Sequence, residues 1–333
     1  MAQLGARFHG MEEVVSSNLT RSTKCLTVLR LLPALPSRGY GGYLVALRGI
    51  GSPVYWGKMS EISRDLYLDL MKQVLTRAAF PDRYRRFARS ALRRNWFAWV
   101  LYPLIEKCLE PFQLALCSTK FDPKLRAEGL SWPADAETMI GAKRLDSLDA
   151  CVRSVLERGV PGDFIETGVW RGGACIFMRA ALKAYADATR TVWVADSFAG
   201  LPAPDGRYQQ DSGSTFHEQS DVLAVSLEQV QENFRRYGLL DGQVRFLKGW
   251  FKDTLPSAPI ERLAIARLDG DMYSSTMDAL NALYPRLSSG GFLIVDDYGA
   301  VPECKHAVDD YRRENQISET IQAIDWSGIF WRK

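Results

Sequence analysis

Four aspartates follow two apolar runs of this sequence and could together bind a divalent cation. Asp269 and Asp271 stand in "RLDGDMYSS", directly after the run "LAIA", and Asp296 and Asp297 end the run "GFLIVDDYG". Carboxylates crowded into one cleft repel each other and raise each other's pKa, and a hard cation such as Mg²⁺ removes that cost. The pattern predicts two buried strands whose acidic ends meet at one metal site. The alternative for each pair alone is a turn or a helix cap.

A glycine-rich stretch, "ETGVWRGG", joins a predicted strand to a predicted helix. Gly168 permits a tight turn, and Gly172 and Gly173 would let the backbone approach a ligand at the helix N-terminus. The spacing departs from the G-x-G-x-x-G dinucleotide pattern, and Glu166 suits a ligand with positive groups. The next strand ends in Asp196, which could accept two ribose hydroxyls. Together these residues predict S-adenosylmethionine as cofactor. The alternatives are a nicotinamide dehydrogenase and a purely structural role for both acids.

Strand and helix patterns alternate along the chain and would position these residues. Such alternation is typical of an α/β fold with a parallel, doubly wound sheet, and two short strands joined by a tight turn at the end predict an antiparallel edge. Ligands of such sheets bind at the carboxyl ends of the strands, where the unusual polar residues lie. The predicted strands cover 163–168, 191–198, 243–249, 262–271 and 291–298, and the helical pattern between the last two covers 274–291.

The composition is that of an ordinary globular protein. The 333 residues, 47% hydrophobic and 24% charged, suffice for one large α/β domain with an accessory segment. The net charge of +3 gives no indication of a nucleic-acid partner, because residues 1–58 hold seven basic against two acidic residues, and the remainder holds 35 against 37.

Cysteine, histidine and hydropathy patterns exclude several other classes of protein. The six cysteines lack CxxC spacing and are expected to be buried, reduced thiols, and three histidines are too few for a histidine-rich metal cage. No run reaches the roughly eighteen apolar residues of a membrane span, and the N-terminus lacks the regions of a secretory signal. We therefore expect a cytoplasmic protein without stable membrane insertion.

Two N-terminal segments differ from the rest of the chain. Residues 1–58 lack periodicity, and "LGARFHGMEEVVSSNLTRSTK" resembles a transfer-RNA gene translated in frame. We hypothesise that translation begins at Met59; a disordered basic leader or a targeting peptide is the alternative. Helical spacing follows over 64–80. Residues 82–114 combine arginines with aromatics, which predicts a helical region over a substrate cleft or at a dimer contact, with a lipid or nucleic-acid surface as alternatives.

Several longer stretches are similar to those of one known family. They are "TMIGAKRLD", "DFIETGVWRGGACIFMRAAL", "VWVADSFAGLP", "NFRRYGLLDGQVRFLKGWFKDTLP", "RLDGDMYSSTMDAL" and "GFLIVDDYG". Over roughly residues 121–333, with "LYLDLM" near 67–72, the chain resembles the macrocin O-methyltransferase family. The resemblance implies a class I methyltransferase (Rossmann-like) fold, a metal-dependent enzyme that methylates sugar hydroxyls of antibiotic glycosides, and a homo-oligomer. Segment 82–118 is longer than the antibiotic enzymes lead us to expect.

The resemblance also implies roles for individual residues. Asp196 would bind the ribose, Ser197 and Gly249–Trp250 would flank the adenine, and residues 138–140 would close over the methionine part. The metal ligands would be Asp269, Asp296 and Asp297. The full set of cofactor-binding residues is Thr138, Met139, Ile140, Glu166, Thr167, Gly168, Arg171, Gly172, Asp196, Ser197, Gly249, Trp250 and Asp269. The chain would divide into a leader (1–58), a helical accessory or lid segment (59–137) and an S-adenosylmethionine-dependent methyltransferase domain (138–333).

These residues predict Mg²⁺-dependent methyl transfer from S-adenosylmethionine to a sugar hydroxyl of a glycosylated small molecule or glycan. Such a hydroxyl barely ionises at neutral pH, and Mg²⁺ or another divalent cation would lower its pKa. Catalytic candidates are Asp271 as general base or substrate orienter, Asp269, and His217 in the polar loop 202–222. His217 would assist proton removal or contact the sugar, and a solvated loop histidine is the alternative. Other functions that fit are a catechol-type methyltransferase, a non-catalytic cofactor-binding protein of the same fold, and an unrelated adenine-nucleotide protein.

Overall fold

The structure is a computed structural model that describes residues 53–80, 85–86, 96–112, 116–118, 122–133, 135–204 and 206–333. The predicted leader, with the hypothesis of a start at Met59, lies outside these residues except for a helical backbone that begins at Pro53. Parts of the predicted arginine-aromatic region, 82–114, also lie outside them, namely 82–84, 87–95 and 113–114, and its described part includes one helix, Trp96–Leu109.

A seven-stranded sheet forms the centre of the unit Tyr55–Lys333, in the order β5-β4-β3-β6-β7-β9-β8. Strands β3 to β7 are parallel, and β9 runs antiparallel to both β7 and β8, which confirms the predicted doubly wound sheet with an antiparallel C-terminal pair. A separate two-stranded ribbon pairs β1 with β2. The strands are β1 Arg85–Arg86, β2 Cys117–Ser118, β3 Asp163–Thr167, β4 Val192–Asp196, β5 Val244–Lys248, β6 Leu263–Leu268, β7 Leu287–Val295, β8 Gln322–Ala323 and β9 Ile329–Arg332.

Helices cover both faces of the sheet. Consecutive strand side chains point to opposite faces, so that Phe164 belongs to one hydrophobic cluster and Ile165 to the other. The first cluster includes residues of α1, α4 and α5, and the second includes residues of α9 and α10. The α-helices of the described residues are α1 Pro53–Leu75, α2 Trp96–Leu109, α3 Pro123–Ala127, α4 Ala142–Glu157, α5 Gly173–Ala184, α6 Ser220–Leu223, α7 Leu227–Arg236, α8 Phe251–Thr254, α9 Tyr273–Leu283 and α10 Pro302–Glu314.

Two predicted helix boundaries are wrong. The pattern over 274–291 ends as a helix at Leu283, because Leu287 is buried in the sheet, where it pairs with Leu263. The pattern over 64–80 corresponds to α1, which begins earlier and ends at Leu75. There the Thr76 hydroxyl donates to the carbonyl oxygen of Lys72, and Arg77 adopts a left-handed conformation with φ 58°. None of the described helices is both long and apolar enough to span a membrane.

The strand order reverses between β3 and β6, which are neighbours although β4 and β5 separate them in sequence. Such a reversal opens a crevice at the carboxyl ends of the two strands, where α/β sheets bind their ligands. Glu166 of β3 and Arg267 of β6 are register partners at this position. The fold therefore places the glycine-rich loop and the first acidic pair side by side.

Candidate active site

The parallel register brings the predicted metal ligands together. Leu268, the last residue of β6, pairs with Val295 of β7, so Asp269 and Asp296 follow at adjacent positions, and the Asp296 amide donates to the Leu268 carbonyl oxygen at 2.9 Å. One carboxylate oxygen from each of Asp269, Asp296 and Asp297 lies within 4.8 Å of the others. The predicted set is thus a compact cluster of hard oxygen donors.

Two buried arginines, which the sequence prediction missed, neutralise part of this cluster. Arg267 is 2% exposed and donates hydrogen bonds to Glu166, Asp269 and Asp296, the bond to Asp269 being 2.8 Å long. Arg144, at the start of α4, donates to the second oxygen of Asp296 and to Asp325. The two arginines therefore neutralise some of the carboxylate charge for which the sequence predicts only a metal ion as counter-charge.

The residues of the cluster still fit a divalent cation. Oδ2 of Asp297 is buried and has no hydrogen-bond partner among the described residues, so it is available as a ligand. Burial raises the pKa of Asp297 well above its usual range, and the neighbouring carboxylates of Asp271, Asp269 and Asp296 raise it further. A cation that contacts this oxygen would lower the pKa and so offset both effects, and carboxylate oxygens are the donors that Mg²⁺ prefers.

Asp271 lies beside the cluster in a strained conformation. Its φ of 54° is left-handed, as are those of Trp170 and Phe198, and these three residues follow the ends of β6, β3 and β4. Left-handed non-glycine residues are costly and concentrate at functional sites. Burial, with the charges of Asp269 and Asp296, raises the pKa of Asp271 to about 7. Asp271 lines the cavity, and it is not among the carboxylates to which Arg267 and Arg144 donate hydrogen bonds. Its carboxylate can therefore face a ligand.

A cavity of about 520 Å³ joins the acidic cluster to the glycine-rich loop. It lies at the carboxyl ends of the strands, as predicted. Of the predicted cofactor residues, those that line it are Thr138, Met139, Ile140, Glu166, Gly168, Asp196, Ser197, Trp250 and Asp269. The predicted residues outside its lining are Thr167, Arg171, Gly172 and Gly249.

The glycines of the loop are required by contacts within the protein. A Cβ on Gly168 would lie 1.7 Å from the carbonyl oxygen of Asp269, so only glycine allows β3 and β6 to end so close together. A Cβ on Gly172 would lie 2.9 Å from Val230, and one on Gly173 would lie 2.5 Å from the carbonyl oxygen of Glu137. The sequence predicts that Gly172 and Gly173 let the backbone approach a ligand, but the atoms that a Cβ would meet here belong to the protein itself.

Arg171 and Asp196 hold the loops around the cavity. Arg171 donates to the carbonyl oxygen of Ala136 at 2.9 Å, which ties the glycine-rich loop to the segment that contains residues 138–140. Asp196 accepts hydrogen bonds from the amides of Val169 at 2.8 Å and Phe198 at 2.7 Å, while its half-buried side chain still lines the cavity. Burial raises the pKa of Glu166 to about 7, although Arg267 acts in the opposite direction.

The loop after β4 covers one side of the cavity, and Arg207 and Asp211 attach it to α9. Gly200, Phe216 and other residues of this loop contribute to the lining. Arg207 forms a two-pronged ion pair with Asp278 of α9 at 2.9 and 2.8 Å. His217, the predicted second base, lies outside the lining, and its buried Nδ1 has no hydrogen-bond partner among the described residues. Its catalytic role stays a prediction.

Asp211 forms the second attachment and caps α9 from a distance in sequence. Its two carboxylate oxygens accept from the amides of Tyr273 at 2.8 Å and Ser274 at 2.9 Å. Sequence reasoning missed this residue because its partners lie more than sixty positions away. The cap fixes the helix that follows Asp271, and it links the covering loop to the acidic cluster.

Replacing Asp211 with alanine is expected to destabilise the protein by about 1–2 kcal/mol, the upper part of the range for a lost N-cap. The substitution leaves two buried amides without an acceptor. Urea unfolding followed by circular dichroism measures the change, with Ser212→Ala, an exposed neighbour, as control. Asp211→Asn keeps one acceptor oxygen, so its free energy of unfolding should lie between those of Asp211→Ala and Ser212→Ala. Equal unfolding free energies for Asp211→Ala and Ser212→Ala would contradict the cap.

Comparison with known proteins places this geometry in a family. A family model described as Macrocin-O-methyltransferase (TylF) matches residues 64–333. The solved structure of the O-methyltransferase NovP superposes with a TM-score of 0.70 at 46% identity and covers 81% of this chain and 99% of that one.

Three curated relatives are O-methyltransferases according to their names, and the first name specifies a rhamnosyl-substituted acceptor. The 8-demethyl-8-(2,3-dimethoxy-α-L-rhamnosyl)-tetracenomycin-C 4′-O-methyltransferase of Streptomyces olivaceus is 52% identical over 275 residues, which are 82% of this chain and 95% of that protein. The demethyldecarbamoylnovobiocin O-methyltransferase of Streptomyces niveus is 47% identical over 83% of this chain and 96% of its own. The mycinamicin III 3″-O-methyltransferase of Micromonospora griseorubida is 55% identical over 64% of this chain and 85% of its own length.

Proposed function

Since the chain belongs to the macrocin O-methyltransferase family, we propose that it transfers a methyl group from S-adenosylmethionine to a sugar hydroxyl of a glycosylated natural product, with Mg²⁺ or another divalent cation. The observation that carries the proposal is one cavity lined by nine of the thirteen predicted cofactor residues and by the acidic cluster. The rhamnosyl-substituted acceptor in the name of the Streptomyces olivaceus relative supports a glycoside as acceptor in preference to a phenolic diol.

Within this proposal the residues of the site have separate tasks. Asp269, Asp296 and Asp297 would hold the cation, which when bound lowers the pKa of the acceptor hydroxyl. Arg267 and Arg144 fix the orientation of the carboxylates, because they bond to Asp269 and to both oxygens of Asp296. Asp271 would accept the proton of the hydroxyl, since it lines the same cavity directly beyond Asp269.

The cofactor would occupy the part of the cavity between the glycine-rich loop and the end of β4. Asp196 would accept the ribose hydroxyls, because its side chain is only half-buried although both oxygens hold backbone amides. Thr138, Met139 and Ile140 line the cavity next to this position and would cover the methionine part. Trp250, which is 37% exposed and lines the cavity, would lie against the adenine.

Methyl transfer to the acceptors of the three relatives tests the proposal directly. The chain is incubated with S-adenosylmethionine, Mg²⁺ and each of the three acceptors, and products are identified by mass spectrometry as a gain of one CH₂ unit. At least one acceptor should be methylated, excess EDTA should abolish the reaction, and added Mg²⁺ should restore it. Binding of S-adenosylhomocysteine by calorimetry, without methylation of any glycoside, would overturn the acceptor class. Full activity in EDTA would overturn the metal.

Assembly and location are further parts of the proposal. The exposed face of α1 carries Ile62, Leu66 and Leu70 at helical spacing, which supports a homo-oligomer as the functional form. Light scattering of the purified chain measures its mass in solution, and a monomer at all concentrations would contradict this part. The cytoplasmic location and the division at residues 58 and 137 stay predictions.

A further inference from the structure

Two half-exposed tryptophans form part of the cavity wall. Trp132 and Trp326 are each 48% exposed, and both line the cavity. Large aromatic side chains are expensive to leave in water, and in a cavity they usually contact a ligand. The roles assigned above to the cofactor and the cation do not use either indole.

Both indoles can offer only their ring surfaces to a ligand. The Nε1–H of Trp326 donates to the carbonyl oxygen of Glu128 at 2.9 Å, and that of Trp132 donates to the carbonyl oxygen of Gly129 at 2.8 Å. With its one donor used, each side chain presents an apolar, π-rich surface. Such a surface stacks against the C–H face of a sugar ring or against a flat aromatic group.

Trp326 is rigidly connected to the metal ligand Asp296. The hydroxyl of its neighbour Ser327 donates to the carbonyl oxygen of Asp296 at 2.7 Å. On its other side Asp325 accepts from Arg144, which also donates to the carboxylate of Asp296 and lies over the Trp326 ring at 5.4 Å. Trp326 is therefore held next to the position where an acceptor hydroxyl would meet the cation.

Trp132 lines the same cavity and is connected to Trp326 through hydrogen bonds. Trp326 bonds to Glu128, whose neighbour Gly129 accepts from Trp132, so the two indoles are linked through one short backbone segment. These hydrogen bonds form one path from the acidic cluster through Trp326 to Trp132. A glycoside with its reactive sugar at the cluster would extend its aglycone along this line.

We propose that Trp326 and Trp132 form a two-part acceptor subsite, in which Trp326 stacks against the methylated sugar and Trp132 stacks against a flat, apolar aglycone. This inference rests on the proposed function and narrows the acceptor class to glycosides with a planar ring system next to the sugar. Affinity then depends on both halves of the acceptor, since each half contacts its own indole.

Binding of two glycosides that differ only in the aglycone tests the subsite. Dissociation constants of methyl and 2-naphthyl α-L-rhamnoside are measured by calorimetry with the full chain, saturated with S-adenosylhomocysteine and Mg²⁺. The naphthyl glycoside should bind about tenfold more tightly, the factor that corresponds to aromatic stacking. Trp132→Ala should remove this difference, and Trp326→Ala should weaken both glycosides by about tenfold.

Two further variants separate stacking from folding. Trp326→Phe keeps an aromatic ring but loses the bond to Glu128, and it should retain most of the affinity. Leu130 is as exposed as the two tryptophans, lies between Gly129 and Trp132 in sequence, and is not part of the cavity lining. The Leu130→Ala variant should therefore bind both glycosides as the parent does. Equal affinity of the parent for both glycosides, no measurable binding of either, or unchanged affinity in Trp326→Ala would overturn the inference. The methylation test with the relatives' acceptors decides the proposed function separately.

Discussion

Arg267→Met is expected to lower the free energy of unfolding by about 3–5 kcal/mol, the cost of breaking a buried ion pair by removing one partner. The guanidinium is 2% exposed and compensates the carboxylates of Glu166, Asp269 and Asp296 at once. Methionine fills a similar volume, so the loss reports charge and hydrogen bonds more than a cavity. Urea unfolding of the metal-free protein, followed by circular dichroism, measures the difference from the parent.

Arg313→Met is the matched control for this substitution. Arg313 is 70% exposed and bonds to Asp310 on the surface, so its loss should cost about 0–1 kcal/mol. Arg267→Met leaves the buried carboxylate of Glu166 without its cation, and adding Glu166→Gln removes that charge. The double variant should therefore recover part of the lost stability, which a double-mutant cycle measures. If Arg267→Met unfolds at the same urea concentration as Arg313→Met, the buried network does not stabilise the fold.

The position of the acidic cluster could be predicted from the sequence because it depends on local patterns. Asp269 and Asp296 directly follow apolar runs, and parallel strands of a doubly wound sheet end at the same edge. The exact pairing of Leu268 with Val295 was not needed, since any register near it brings the two strand ends together. The glycine-rich loop was recognised for the same reason, as a short strand, turn and helix contiguous in sequence.

The residues that sequence reasoning missed are held by partners far along the chain. Arg144 bonds to Asp325, 181 positions away, and Asp211 caps a helix 62 positions away, so neither contact leaves a local pattern. Arg267 did leave a signal. It is the one charged residue within β6, a strand buried along its whole length, and a charge there requires buried partners of opposite sign. The helix boundary at Leu283 was missed because the following turn and strand continue the apolar spacing.

Asp297→Asn is expected to have opposite effects on stability and activity. The metal-free protein should become more stable, because Asp297 is buried beside three other carboxylates and its Oδ2 has no hydrogen-bond partner among the described residues. Methyl transfer should fall by about 10²- to 10³-fold, the range for losing one preorganised group that stabilises developing charge. Urea unfolding without metal and initial rates at saturating S-adenosylmethionine and Mg²⁺ measure the two effects.

Asp297 separates these effects better than Asp296 does. Both oxygens of Asp296 are bonded to buried arginines, so Asp296→Asn would break ion pairs as well as remove a ligand, and its low activity would be ambiguous. Calorimetric titration of Mg²⁺ provides the second readout for Asp297→Asn, with the exposed Asp253→Asn as control. Weaker metal binding together with higher metal-free stability would show that Asp297 binds the metal ion and destabilises the fold when the metal is absent. If Asp297→Asn binds Mg²⁺ as the parent does, Asp297 is not a metal ligand. If neither protein binds Mg²⁺, the acidic cluster serves as the counter-charge of Arg267 and Arg144, and Asp271 must activate the hydroxyl without a metal ion.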